Sequence, residues 1–194
     1  MAPSTSDAIR IANCSGFFGD RLSAAREMVQ GGPIDALTGD WLAELTMLIL
    51  SRIQAKAPGA GYARTFVTQM EEVMGECLDK NIKVVSNAGG LNPQGCADAV
   101  QEIADRLGLN PSIAYVAGDD LAPRLRELIE AGNDFSHLDT GESLGELADR
   151  IVTANAYIGC WGIVEALNQG ADIVVTGRAT DAAVVAGPAA WYHG

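Results

Sequence analysis

Short apolar runs alternate with amphipathic stretches of helical period along the whole chain, and that alternation leaves few folds open. Six runs read as strands: residues 9–13, 35–38, 82–87, 112–117, 151–156 and 172–176. All but the first lack clean polar–apolar alternation, which suits strands buried on both faces of a parallel sheet. Helical stretches lie between and after them, at 20–30, 41–56, 62–78, 93–107, 121–131, 160–169 and 181–190. Residues 62–78 set Phe66, Met70, Val73 and Cys77 at helical spacing, and 93–107 do the same with Ala97, Val100, Ile103 and Leu107. Asn92-Pro93 is an N-cap followed by proline at the first helical position, and Gly108, Gly132 and Gly170 stand where helices end.

This pattern predicts an α/β fold: a three-layer, doubly wound, mostly parallel sheet of about six strands. A partial β/α barrel shares the same local pattern and is the alternative. Both place ligands at the carboxyl ends of the strands. With 194 residues the chain has enough length for one domain with a sizeable core. Two segments interrupt the rhythm. Residues 57–61 (Ala-Pro-Gly-Ala-Gly) form a turn between two helices. Residues 133–145 are polar and irregular, long enough for a lid or site loop. The final Trp191-Tyr192-His193-Gly194 would ordinarily be covered by further chain, so the sequence reads as the N-terminal fragment of a longer domain.

Charge narrows the function. A net charge of −12 repels phosphate backbones and anionic lipid, which argues against nucleic-acid and membrane partners. The longest apolar stretch, 42–50, contains Glu44 and is too short to span a bilayer. Residues 1–7 lack the apolar core of a secretory signal. Cys14, Cys77, Cys96 and Cys160 form no CxxC pair and read as reduced thiols, so a cytoplasmic location is expected.

The residues after each strand are the candidates for chemistry. They include Asn13, Cys14, Ser15 and Gly16 after the first run and Asp40 after the second. Asn87, Gly89 and Gly90 follow the third, Asp119 and Asp120 the fourth, Asn155 closes the fifth, and Arg178 and Asp181 follow the sixth. Glycines let a backbone approach a ligand, and N–H groups at a following helix start can hold an anion. Turn and cap chemistry explains many of these residues just as well. Asp40, Asp120 and Asp181 are candidate general bases, or Mg²⁺ ligands together with Asp119 if their loops converge. His137, near Asp139 and Glu142, is a further acid–base candidate or a plain surface histidine. Arg178 can hold a carboxylate or phosphate through a bidentate contact, or pair with Asp181. Cys14 and Ser15 have the position of nucleophiles but no triad around them, and packing is the simpler reading. Cys14-x-Gly16-x-x-Gly19 with Asp40 mimics a dinucleotide fingerprint, but its first glycine is missing and Phe17-Phe18 is bulky for a pyrophosphate cradle, which argues against NAD.

Taken together, five strings are distinctive: Asn13-Cys14-Ser15-Gly16-Phe17-Phe18-Gly19-Asp20-Arg21, Thr38-Gly39-Asp40-Trp41-Leu42-Ala43-Glu44, Asn87-Ala88-Gly89-Gly90-Leu91-Asn92-Pro93, Leu138-Asp139-Thr140-Gly141 and Thr176-Gly177-Arg178-Ala179-Thr180-Asp181. In content and order they resemble the loops of the acyclic terpene utilisation (AtuA-like) family. The resemblance implies a bacterial role in breaking down acyclic terpenes such as citronellol and geraniol, or related branched acids, through acyl-CoA thioesters. It transfers no named catalytic residue. The leading expectation is an enzyme of lyase or hydratase type on an acyl-CoA substrate. Asn13, Ser15, Gly16, Asn87, Gly89, Gly90, Asn155 and Arg178 would bind substrate, and Asp40, Asp120, Asp181 or His137 would act in catalysis. A non-catalytic partner of a pathway enzyme such as an acyl-CoA carboxylase, and a nucleotide-dependent oxidoreductase, are the competing readings. A homo-oligomer is compatible with each.

Overall fold

The computed structural model describes residues 8–194. Five strands form one open, fully parallel sheet: β1 (Ile11–Asn13), β2 (Ala36–Gly39), β3 (Lys83–Gly90), β4 (Ile113–Val116) and β5 (Ile173–Gly177). Their spatial order is β1-β2-β3-β5-β4. β2 and β5 are buried along their whole length, as is β3 after Lys83, which is why their sequences do not alternate.

Helices cover both faces. On one, Leu37, Val84, Ile173 and Val175 pack against α1 (Ala24–Gly31), α2 (Glu44–Gln54), α3 (Arg64–Asp79) and α4 (Pro93–Leu107). On the other, Val85 and Val174 meet α6 (Trp161–Asn168) and α7 (Ala183–His193) through Ile163, Leu167, Ala183 and Val184. Val84 against Val85, and Val174 against Val175, show the period of two that sends neighbours to opposite faces. α3 inserts Phe66, Met70, Val73, Met74 and Cys77 into the larger core; each large apolar side chain buried this way contributes roughly 1.5–3 kcal/mol. This is the expected three-layer arrangement. Asn92 caps α4 by accepting from the Gly95 N–H at 2.9 Å, and Gly108 closes it at φ +70°.

The run at 151–156 is a correction. It forms no strand and makes only a bridge from Asn155 to Asp120. Ile151 and Val152 are 37% and 62% exposed, so their apolar character does not mark burial between helices. This extended segment supplies residues beside the strand ends. The helix expected over 121–131 is split into a 3₁₀ turn, Ala122–Arg124, and the short α5, Leu125–Glu130. Residues 133–143 hold no helix or strand, as expected, and a 3₁₀ segment follows at Gly145–Arg150.

The sheet is tied at the amino ends of its strands. Asp35 accepts from Arg10 N, Nε and Nη2 at 2.7–2.9 Å, joining β1 to β2. Asp172 accepts from Lys83 Nζ at 2.8 Å and from Ser112 N at 2.9 Å, joining β3, β5 and β4. At the carboxyl ends, the β3–β5 register shifts between Ser86 and Gly90.

Candidate functional site

The chain leaving β3 enters α4 on one face, and the chain leaving β5 enters α7 on the other. These two strands are neighbours, so their outgoing loops part and open a crevice between them. Ligands of doubly wound folds bind at such a switch point.

Arg178 stands on the β5 side of this crevice, immediately after the strand. Its side chain is only 5% exposed. Nη1 donates to the Leu42 carbonyl at 2.6 Å, and Nη2 donates to Asp181 at 3.2 Å. Tyr157 covers one face of the guanidinium, 4.0 Å from ring centre to Cζ. Nε has no partner, alone among the fully buried side-chain nitrogens and oxygens of the described residues. A buried donor without an acceptor is costly, more so on a charged group. Asp181 is a weak counter-ion here, being 71% exposed at a long contact distance.

Asp119 holds the loop from the other side. It is 3% exposed, and its Oδ2 accepts from Arg178 N at 2.7 Å and from Asn155 Nδ2 at 2.9 Å. Burial raises its pKa against the opposing effect of those two hydrogen bonds, and the neighbouring Asp120 charge pushes the same way. Gly177 is required because the Asp119 carboxylate takes the space of a side chain there: an added Cβ would lie 2.2 Å from Oδ1.

The remaining loops join in a hydrogen-bonded chain. Asn13 Nδ2 and Asp40 N both donate to the Ser15 carbonyl, at 2.8 and 2.9 Å. Asn87 Nδ2 donates to Asp40 Oδ1 at 2.5 Å, and Trp41 N donates to Asn87 Oδ1 at 2.7 Å. Leu42, next to Trp41, receives Arg178. Asn13, Asp40, Asn87, Arg178, Asp119 and Asn155 therefore belong to one network of contacts across the carboxyl edge of the sheet.

They do not line one pocket. A cleft of about 170 Å³ is walled by Arg178, Asn155, Tyr157, Thr153, Met47 and Glu44. Thr153 also borders a wider depression of about 430 Å³ with Leu91, Val152, Ala55, Pro58 and Asp120. Leu91 and Asp120 continue into a third, of about 300 Å³, beside Asn92, Tyr115 and Asp119. The shared residues make the three neighbours along the carboxyl edge of the sheet. Of the expected residues, Arg178 and Asn155 border the first, Asp120 the second and third, and Gly90 the third. Asn87 is fully buried and serves to fix the β2 and β3 ends.

The glycines have local duties. The space beside Gly39 is filled by the Trp41 ring, beside Gly89 by Pro93 and the Thr176 carbonyl, and beside Gly90 by Leu50 and the Gly61 carbonyl. Gly16 faces open space, but its N–H donates to Asp20 at 3.0 Å, so a carboxylate already holds the position an anion would take in a dinucleotide loop. Ser15 is buried and donates to the Phe17 carbonyl. Burial pushes the Cys14 thiol up to about 12, which disfavours the thiolate a nucleophile needs. His137 is exposed and its Nδ1 accepts from Asp139 N and Thr140 N, which closes its own loop. Asp120 Oδ1 accepts from Ala122 N at the start of the 3₁₀ turn. Among the described residues no three His, Cys, Asp or Glu side chains come together as a metal site, so Asp40, Asp119, Asp120 and Asp181 do not form the Mg²⁺ cage that convergence would have given.

Two bordering polar residues, Tyr157 and Glu44, were not among the expected site residues; Glu44 stood only at the end of the Thr38–Glu44 string. Asp119 was expected beside Asp120 as a possible metal ligand, and only the fold turns it inward.

No helix among the described residues is long and apolar enough to cross a membrane. A family model described as "Acyclic terpene utilisation family protein AtuA" matches residues 9–194. No curated protein and no solved structure matches the chain.

Proposed function

The chain belongs to the acyclic terpene utilisation family AtuA, and from that premise we propose that its β3–β5 crevice binds a branched, isoprenoid-type acyl thioester for a lyase- or hydratase-type step. The unpartnered Nε of Arg178 carries this reading. The guanidinium carries a fixed positive charge, buried where water competes poorly, and Nε, closed to solvent at rest, would take an acyl oxygen as its acceptor when ligand entry displaces the wall over it. The apolar wall of Leu91, Val152, Ala55 and Pro58 lies one residue, Thr153, away and suits a hydrocarbon chain.

The chemistry follows from this placement. In hydration of a double bond conjugated to the acyl carbonyl, a carboxylate removes a proton from water. The water oxygen bonds to the β-carbon, and the π electrons move to the carbonyl oxygen, where Arg178 offsets the developing charge. The protonated carboxyl then delivers its proton to the α-carbon and returns to its starting state. Glu44 lines the cleft that holds Arg178 and Asp120 lines the adjoining depression, which makes them the carboxylates for this role.

The test is ligand binding to the 194-residue chain and to Arg178→Gln and Arg178→Lys. A branched acyl-CoA and the corresponding free acid should each bind wild type and lose about ten- to a hundredfold in affinity in both variants, because lysine cannot reproduce the planar fork. Equal affinities in all three proteins contradict the assignment.

A further inference from the structure

The Nε of Arg178 is closed to solvent, so a ligand reaches it only if part of the surrounding wall moves. Polar or aromatic partners meet the guanidinium on three sides: the Leu42 carbonyl at Nη1, Asp181 at Nη2 and the Tyr157 ring over its face. Leu42, and Met47 in the wall of the cleft, are buried in the larger core and are not free to swing out. Asp181 meets one end of the fork by a hydrogen bond and leaves the face to Tyr157. Tyr157 lines the same cleft and is 54% exposed. The backbone on either side of it is fixed. The Ala154 carbonyl accepts from Leu121 N at 2.7 Å, Ala156 N donates to the Asp119 carbonyl at 2.7 Å, and Asn155 Nδ2 donates to Asp119 Oδ2 at 2.9 Å. The Ile158 carbonyl accepts from Thr180 N at 2.9 Å, and the Ile158 side chain packs against the second core. Residues 154–158 thus form a strap held at both ends, carrying an exposed side chain of the kind that changes rotamer on the picosecond-to-nanosecond scale.

We propose that the Tyr157 ring is the gate of the Arg178 cleft: closed, it lies on the guanidinium; open, it turns away on the fixed strap and admits an acyl oxygen to Nε. The proposal rests on the crevice reading above and names the part of the wall that moves. An aromatic face attracts the guanidinium charge but offers Nε no acceptor in the plane of its N–H. The closed form therefore holds the cation in place without satisfying its last donor. A carboxylate or carbonyl oxygen on Nε makes a charge-assisted hydrogen bond that offsets the lost ring contact, whereas a purely hydrocarbon ligand makes no such bond. The gate thus favours ligands that carry an oxygen acceptor.

Reaction of the whole chain with phenylglyoxal, followed at each arginine by peptide mass spectrometry, reads the gate without any ligand. Arg52, Arg64 and Arg150 are exposed and serve as internal standards. In wild type Arg178 should react more slowly than all three. Tyr157→Ala should raise its rate about five- to thirtyfold, the weight of a ring–guanidinium contact at a desolvated site, with the standards unchanged. Tyr157→Phe should react as wild type, because the ring makes the contact. A branched free acid should slow the reaction at Arg178 in all three proteins and should bind Tyr157→Ala at least as tightly as wild type. An unchanged Arg178 rate in Tyr157→Ala overturns the gate, and so does a parallel rise at the standards, since the ring would then be supporting the chain as a whole. Weaker binding of the acid by Tyr157→Ala also overturns it, because the ring would then be a wall the ligand needs. If Arg178 speeds up as expected but the acid neither binds nor protects it, the crevice reading fails while Tyr157 stands as the cover of Arg178.

Discussion

A buried guanidinium is stable when its donors are met, and Arg178 leaves Nε unmet while its neighbours are satisfied in detail. Asn87 and Asn155 each meet a carboxylate, and Asp119 meets two N–H donors. The contrast separates side chains that hold the loops from the one that keeps a donor unused. Part of this was legible: Arg178 stood out as a cation in a glycine-containing strand-end loop. Asp119 was not legible as a residue of special burial, because which of two adjacent aspartates turns inward depends on the path of a loop. The cysteines give a check at this scale. Cys14 and Cys77 are buried with thiols pushed up to about 12, Cys96 is pushed higher still by the same burial, and Cys160 is half-buried. A thiol reagent at pH 8 should modify one cysteine of the native chain, Cys160, and four after denaturation. Rapid modification of Cys14 would mean that the β1 loop opens readily.

The strands differ at their two ends, and each end predicts something. Arg10 lowers the Asp35 pKa by direct hydrogen bonding against the cost of burial. For Asp172 burial acts upward, but Lys83 and the Ser112 N–H outweigh it and the net shift is downward. A carboxyl whose folded pKa is lowered contributes stability above its unfolded value, about 3.9, and loses it as pH falls through the folded value. Asp35→Asn and Asp172→Asn should therefore each cost about 0.5–1 kcal/mol at pH 7 and little near pH 2, read by urea unfolding at both. At the other end, an added Cβ on Gly39 would lie 2.0 Å from the Trp41 ring. Gly39→Ala should destabilise by about 1–3 kcal/mol in thermal unfolding, since the ring is buried and has little room to move. The alternation of strands and helices was readable because burial on both faces leaves uninterrupted apolar runs. The segment at 151–156 misled because Ile151 and Val152 are apolar yet exposed beside the crevice. Periodicity cannot distinguish an apolar ligand wall from an apolar strand.

The order β1-β2-β3-β5-β4 determines where function can sit on the whole molecule. Chain reversal places β5 beside β3 and sends their outgoing helices to opposite faces, so the crevice follows from topology before any side chain is considered. Strand order is a long-range property and cannot be read from local patterns, so only the carboxyl edge of the sheet could be named from sequence. Family membership then gives acyclic terpene utilisation as the setting, and the reaction remains the step for experiment. Hydrogen exchange of the chain with and without a branched acyl-CoA tests the central claim most directly. Bound ligand should slow exchange across 153–158, 176–181 and the start of α2, while the amino ends of the strands at Asp35 and Asp172 stay unchanged. Protection confined to any other part of the molecule, or none at saturating ligand, would contradict the placement of the site at the β3–β5 crevice.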